Sequence, residues 1–407
     1  MSMPMRSAPR LLSAAGPTLA EHLDRFGPAP RISGSQLISL LNDAGLSGRG
    51  GAGFPTGRKL AAVTGPDPVV VANGAEGEPL SRKDALLLIR APHLVIDGLH
   101  IAAAAIGAHT GYLYVHADAV ASVRAALTER RAAGLDPHRV ELTVVEAPDT
   151  FVAGEESAAI RHIEGGPALP RDRTVPVAIS GVRKRPTLVN NVETLAHMAL
   201  IARHGAHWFR SIGDPADPGS MLVTLSGALD GEGVVEVPTG VPITDLIDTR
   251  AVSAILVGGY HGSWLPAETF AGLRLSRTGL KSLGASPGAG IVHALGVTEC
   301  GLVRTAEIAG YLADESARQC GPCRNGLPRL SELIDELAYG RASDHLVKEI
   351  RRITRLVDGR GACRHPDGTA RMVRSALRAF AADIEQHRLG RCESVVPAAP
   401  ISKMPMA

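Results

Sequence analysis

The stretch "GLSGRGGAGFPTGRK", Gly45 to Lys59, packs six glycines, two arginines and a lysine into fifteen residues. Flexible linkers of this glycine content usually add serine and repeat themselves. This one interleaves cations with glycines and runs into Phe54-Pro55-Thr56. Glycine lets backbone amides approach a ligand closely, and cations complete a cradle for phosphate. Taken alone, the stretch reads equally well as a phosphate-holding loop or an ordinary surface loop. The chain around it separates the two.

The 407 residues suggest two or three domains, and 45% hydrophobic composition supplies real cores. Charge is balanced, with 43 basic against 41 acidic residues, and aromatics are only 3%. Neither nucleic acid nor an anionic membrane is expected as a partner. No apolar run reaches the 18 or so residues of a membrane helix, and the apolar run in "MSMPMRSAPRLLSAAGP" is too short for a signal peptide. A soluble cytoplasmic protein is expected, peripheral to a membrane only through a partner. All five cysteines follow residue 299, which argues for metal or redox work rather than a disulfide framework.

The first half alternates β and α patterns. "PVVVAN" (68–73), "GYLYVH" (111–116) and "VELTVVEA" (140–147) read as strands, with helical "KDALLLIRAPHLVIDGLHIAAAAIG" and "ADAVASVRAALTERRAA" between them. Such alternation predicts a mainly parallel sheet covered by helices. From about Gly219 short strands separated by Gly/Pro turns predict a small α+β module, and after about Ala294 four amphipathic helices predict a bundle. The expected domains are residues 36–215, 216–293 and 294–390, with an N-terminal extension (1–35) and a C-terminal tail (391–407).

"NGAEGEP" (Asn73 to Pro79) follows the first strand, at the carboxyl end where parallel sheets place ligands. Its Glu76 and Glu78 read as a solvated acidic turn or as carboxylates facing a cofactor. "AGEES" (153–157) opens a helix, where Glu155 and Glu156 suit the dipole as well as a ligand. Asn190 and Asn191 in "RPTLVNNVETLAHM" read most simply as helix caps. "RQCGPCRNG" brings Cys320 and Cys323 to C-x-x-C spacing, with Cys363 forty residues on. Three thiols suit an iron–sulfur cluster, zinc or a redox dithiol. Cys300 and Cys392 read as bystanders.

In their order, "GRGGAGFPTG", "EGEP", "GEES" and "PTLVNNVETL" resemble the flavoprotein (F) subunit of respiratory complex I, a module shared with NAD-linked hydrogenases and formate dehydrogenases. The likeness runs through "VTLSGAL", "VPTGVPITDLI" and "CGPCR" and covers nearly everything after about residue 35. It implies an α/β fold: a Rossmann-like FMN-binding domain, a β-grasp module and a helical iron–sulfur domain. It implies that FMN accepts a hydride from NADH and passes single electrons through a cluster to a ferredoxin-like or thioredoxin-fold iron–sulfur protein, or to a quinone-reducing partner. By motif, Gly48, Arg49, Gly50, Gly51 and Lys59 would line the FMN phosphate and ring. Asn73, Glu76, Glu155, Asn190, Asn191 and Thr194 would hold the rest of the flavin, and Phe54, Glu78 and Glu156 would face the nicotinamide nucleotide. Cys320, Cys323 and Cys363 would bind the cluster. No catalytic side chain is expected, because FMN carries the chemistry.

Three departures from the family pattern stand out. Its "NADEGEP" aspartate is Ala75 here. The two phenylalanines that clamp the NADH adenine correspond to Ala62 and Pro176. Stacking of about 1–3 kcal/mol per ring is lost, which weakens binding by roughly one to four orders of magnitude. The first cysteine of the cluster motif is Ala317, which implies a [4Fe–4S] cluster on three cysteines, a [3Fe–4S] cluster, a ligand borrowed from Cys300 or His365, or no cluster. Two further readings use the same fold: an FMN enzyme fed by reduced ferredoxin, and a non-catalytic scaffold.

Overall fold

The computed structural model describes residues 9–136, 140–172, 175–340 and 342–392. Arg173 and Thr174 of "RTVPVA" and the tail beyond Cys392 lie outside these. Helix α1 (Leu19–Phe26) and α2 (Gly34–Ala44) each start from a capping box, Thr18 with Glu21 and Ser33 with Gln36. Helix α2 stops at Gly45, whose left-handed φ of 71° releases the chain into the glycine loop, and α3 (Thr56–Ala61) closes the loop.

The alternating pattern then builds β1 (Val69–Gly74), α4 (Lys83–Arg90), α5 (Pro92–Ile106), β2 (Thr110–Val115), α6 (Ala117–Ala132), β3 (Glu141–Glu146), α7 (Glu156–Ile163), β4 (Thr187–Asn191) and α8 (Val192–Arg210). The strands form one sheet in the order β3-β2-β1-β4, parallel throughout. Val69, Val70 and Val71 are completely buried, the mark of a central strand covered on both faces. Helices α2, α4, α5 and α8 cover one face through Leu94, Leu99 and Leu195, and α7 covers the other through Ile160. Pro92 occupies the first turn of α5, so "KDALLLIRAPHL…" is two helices bent by 96° rather than one. Among the described residues no single helix is long and apolar enough to cross a membrane.

Past α8 come the ribbon β5 (Gly213–Asp214) and β6 (Asp217–Pro218), then β7 (Ser220–Gly227), β8 (Gly233–Pro238), β9 (Val241–Pro242), α9 (Ile243–Leu246), β10 (Val252–Val257), β11 (Ser263–Pro266), β12 (Arg274–Leu275), α10 (Arg277–Lys281) and β13 (Ile291–Gly296). Five of these form a mixed sheet, β11-β10-β13-β7-β8, in which only β13 and β7 run parallel. One face packs on Ile243, Phe270 and Leu280; the other packs through Leu256 and Trp264 on the C-terminal helices.

Those helices are α11 (Gly301–Asp314), α12 (Leu327–Tyr339), α13 (Asp344–Val357), α14 (His365–Ala379) and α15 (Ala381–Arg388). The expected fourth helix is split at Phe380. Its ring is buried edge-on against Trp264, 5.2 Å between centroids, and lies over Gly301. That packing holds Phe380 at φ −108°, ψ 31°, outside the helical well.

Helices α5 and α8 approach so closely that a Cβ on Gly98 would lie 2.0 Å from the Leu195 carbonyl oxygen. The obstacle is backbone, which cannot rotate away. Gly98→Ala is therefore expected to destabilise the chain by about 1–3 kcal/mol or more, read as a lower midpoint in urea unfolding.

Candidate functional site

The glycine loop is a tight hairpin. Gly48 N–H donates to the Phe54 carbonyl at 2.9 Å, and Ser47 bridges Pro55. Gly51 (φ 103°) and Gly53 (φ 64°) occupy backbone that side-chain-bearing residues rarely adopt. The loop is anchored from two directions. Arg49 N–H donates to Thr194 Oγ1 at the start of α8, 2.9 Å. The Arg277 guanidinium, from the mixed-sheet module, donates to the Gly48 carbonyl at 3.1 Å and lies over Gly53.

The cations have partners within the chain. The Arg49 side chain is 4% exposed, bonded to the Pro218 carbonyl and 3.6 Å from Asp217. Lys59 pairs with Glu156 at 2.9 Å, bringing the loop and the first turn of α7 together. Phe54 is half exposed, with the Arg58 guanidinium 5.8 Å from its ring centre.

The strand ends converge beside this loop. Asn73 pairs in register with Asn191, and Ala72 with Asn190. Asn73 Nδ2 donates to the Gly154 carbonyl, and its Oδ1 accepts from Ala75 N–H. The capping reading holds in part: Asn191 Oδ1 caps α8 through Glu193 N–H, and Glu155 caps α7 through the Ser157 and Ala158 amides. Asn191 also donates through Nδ2 to Asp84 at 2.5 Å. Glu76 accepts from the Ser81 hydroxyl and from Ala85 N–H, the latter at 3.0 Å.

Asn190 Nδ2 and Glu78 Oε1 are buried here without a hydrogen-bond partner. The other Glu78 oxygen accepts from Tyr260 N–H at 2.8 Å. Burial pushes the Glu78 carboxyl up to about 8, despite the Tyr260 and Leu80 amides. It is therefore mostly protonated at neutral pH. Unmatched donors at the carboxyl end of a parallel sheet, facing a glycine loop with left-handed turns, fit a bound flavin mononucleotide.

Beneath lies a charge cluster that no motif in the sequence announces. Lys83, 2% exposed, contacts Asp84 at 2.7 Å and Glu193 at 2.9 Å. Burial opposes the Lys83 charge, but Asp84 and Glu193 outweigh it and hold its pKa above the ordinary value. Burial likewise opposes the Glu193 charge, yet Lys83, His197 and Arg49 hold that carboxyl at about 2. The one available signal was a lysine–aspartate pair opening an otherwise apolar helix.

In the helical domain Cys323 lies in a π-helical turn, residues Pro322–Gly326, and is 1% exposed, with Cys320 and Cys363 half-buried around it. Burial pushes the Cys323 thiol up to about 12, and the Cys320 and Cys363 sulfurs add to the shift. Two thiols at the turn that leads into α12, with a third just before α14, fit an iron–sulfur cluster. Neither expected substitute ligand is at hand as the chain stands. His365 bonds through both nitrogens, to His261 and to the Leu312 carbonyl, and Cys300 groups with His387 and Cys392 instead. Ser316, next to Ala317, is the side chain that faces Cys323.

Comparison with known proteins places this geometry. Residues 41–200 match the Nuo51 FMN-binding domain, and residues 304–387 match the NADH-ubiquinone oxidoreductase-F iron–sulfur binding region. The second NADH-quinone oxidoreductase F subunit of Rhizobium meliloti is 30% identical over 374 residues, covering 86% of this chain and 88% of its own. The chain belongs to the family of NADH-quinone oxidoreductase F subunits. Its relatives include the F subunit of Streptomyces coelicolor, 31% identical over 87% of this chain and 83% of its own. They also include the HndC subunit of the NADP-reducing hydrogenase of Solidesulfovibrio fructosivorans, 29% identical over 87% and 76%. A chain of the NAD+-reducing [NiFe]-hydrogenase in its H2-reduced crystal structure superposes with a TM-score of 0.80 at 30% identity. That match covers 87% of this chain, which spans 63% of the hydrogenase chain.

The Glu78 shift has a consequence for stability. A carboxyl raised in the folded state binds its proton more tightly there than in the unfolded chain. Its contribution is complete below the unfolded value of about 4.5 and is lost as pH rises through about 8. Glu78→Gln should therefore flatten the fall in stability between those limits, measured by denaturation across pH; an unchanged slope would count against the shift.

Proposed function

We propose that this chain is an electron-entry subunit: its glycine loop would hold FMN, which would supply the exchange of reducing equivalents from a pyridine nucleotide for single electrons, and Cys320, Cys323 and Cys363 would hold the iron–sulfur cluster that relays them. The supporting observation is the shared wall between the two regions. Gly154 takes the Asn73 amide on the flavin side, while Phe151, three residues earlier, packs edge-on against His365, 5.4 Å between centroids. His365 is two residues from Cys363. His261 completes the wall, 4.7 Å from Phe151 and 3.1 Å from His365.

FMN, when bound, supplies the exchange between a two-electron hydride and single electrons. This chain's own groups do the rest. The loop amides and Lys59 hold the phosphate, and Asn73, Asn190 and Asn191 orient the ring system. The protonated Glu78 holds its proton at the carboxyl beside Tyr260 and donates rather than repels. Phe54, half exposed at the loop tip, meets the nicotinamide nucleotide with Glu156. The electron acceptor is an iron–sulfur protein of ferredoxin-like or thioredoxin fold, and the site of action is the cytoplasm. A second donor, reduced ferredoxin, is favoured by the exposed Ala62 and Pro176, which offer no ring faces to an adenine.

Protein purified without oxygen should contain FMN and iron, and NADH should bleach its flavin absorbance. Bleaching by reduced ferredoxin but not by NADH would select the second donor. Asn190→Ala removes one hydrogen bond to the flavin, worth about 1–1.5 kcal/mol, so FMN affinity should fall roughly tenfold by equilibrium dialysis. Ala317→Cys restores the family's fourth thiolate and should raise iron retained after exposure to air; unchanged retention would argue against a cluster at these thiols.

A further inference from the structure

Away from the three cluster thiols, Cys300, His387 and Cys392 bring two sulfurs and a ring nitrogen within 4.8 Å of one another. We propose that these three residues form a second metal site, a mononuclear zinc(II) centre that fastens the turn after α15 to the start of α11. The site depends neither on flavin binding nor on the reading of the electron path.

The geometry is that of a metal ligand set. Cys300 Sγ and His387 Nε2 are 3.6 Å apart. With Zn–S of about 2.3 Å and Zn–N of about 2.0–2.1 Å, tetrahedral angles set those two atoms about 3.6 Å apart. The imidazole is already oriented. His387 Nδ1 lies 3.2 Å from the Leu337 carbonyl, which only accepts, so the proton sits on Nδ1 and the Nε2 lone pair faces the sulfur. Both residues are buried, Cys300 at 8% and His387 at 5% exposure. Cys300 is the N-cap residue of α11, so the rigid start of that helix fixes its sulfur.

The third ligand arrives through a helix stop. After α15, Gly390 takes a left-handed φ of 68°, and the Gly390 and Arg391 amides turn back onto the His387 and Gln386 carbonyls. This reversal returns Cys392 to the end of the helix that carries His387. Cys392 is exposed, so it can close the remaining distance and leave the fourth zinc position to solvent. Two thiolates neutralise the ion, and thiolate with imidazole is a donor set suited to zinc.

The test uses the full chain with its cluster intact, because zinc and iron are counted separately. Protein freed of zinc by mild chelation is dialysed against zinc chloride, and both metals are measured by elemental analysis. One zinc per chain is expected in the parent protein. Cys392→Ser, on the surface and therefore no threat to folding, and His387→Asn should each abolish stoichiometric zinc while leaving iron unchanged. Cobalt(II) in place of zinc should show the visible bands of a tetrahedral thiolate complex, lost in both variants. Zinc that persists in both variants would overturn the site. So would a parent protein that takes up none, or a peptide map linking Cys300 to Cys392 as a disulfide in chain prepared under argon with reductant.

Discussion

The buried Lys83 ammonium is the interaction on which the arrangement turns. It opens α4, meets Asp84 beside it, and reaches Glu193 in the first turn of α8. Glu193 in turn accepts from Leu222 N–H in β7, so the same carboxylate joins the parallel sheet's helices to the mixed sheet. One residue on, Thr194 takes the Arg49 amide of the glycine loop. Removing one partner from a buried charge group of this kind costs about 3–5 kcal/mol, because the others are left uncompensated. The loop's position is thus fixed from below by electrostatics before any ligand contributes.

The helical domain is joined on differently, through rings and one carboxylate. Phe151 packs against His261, His365 and Tyr311, and its amide donates to Glu315 at 3.0 Å. Tyr260, whose amide holds Glu78, stacks edge-on with the same Tyr311. Residues around the flavin motifs therefore touch residues around the cysteine motifs directly. Edge-to-face rings favour definite orientations, which keeps the two regions in a set relation.

Much of this was legible in the chain, and the reasons are local. "PVVVAN" is apolar on both faces, so it had to be a central strand. The glycine loop interleaved cations with glycines, unlike a flexible linker, and the motif order identified the family. The capping roles of Asn191 and Glu155 were also readable, since a cap bonds within a few residues. What was hidden depends on long-range contacts. Arg277 reaches Gly48 across 229 positions, and nothing in "LSRTGLKS" announces it. Cys300 and Cys392 read as bystanders because their meeting needs the five helices between them to pack and a glycine reversal to close. The break at Phe380 comes from a ring drawn into a pocket beside Trp264, which overrides a sequence that is helical on its own terms.

The Arg277 clasp carries one more implication. The residue that lies over Gly53 belongs to the mixed-sheet module, so the loop has no hinge of its own. Opening it far enough to admit or release a bulky ring system means prising the module away and breaking the Arg277–Gly48, Arg49–Asp217 and Ser47–Asp217 contacts together. Cofactor exchange would then be slow because a whole domain must breathe, and a tightly held prosthetic group would be a property of the scaffold's stiffness as much as of the contacts in the cradle.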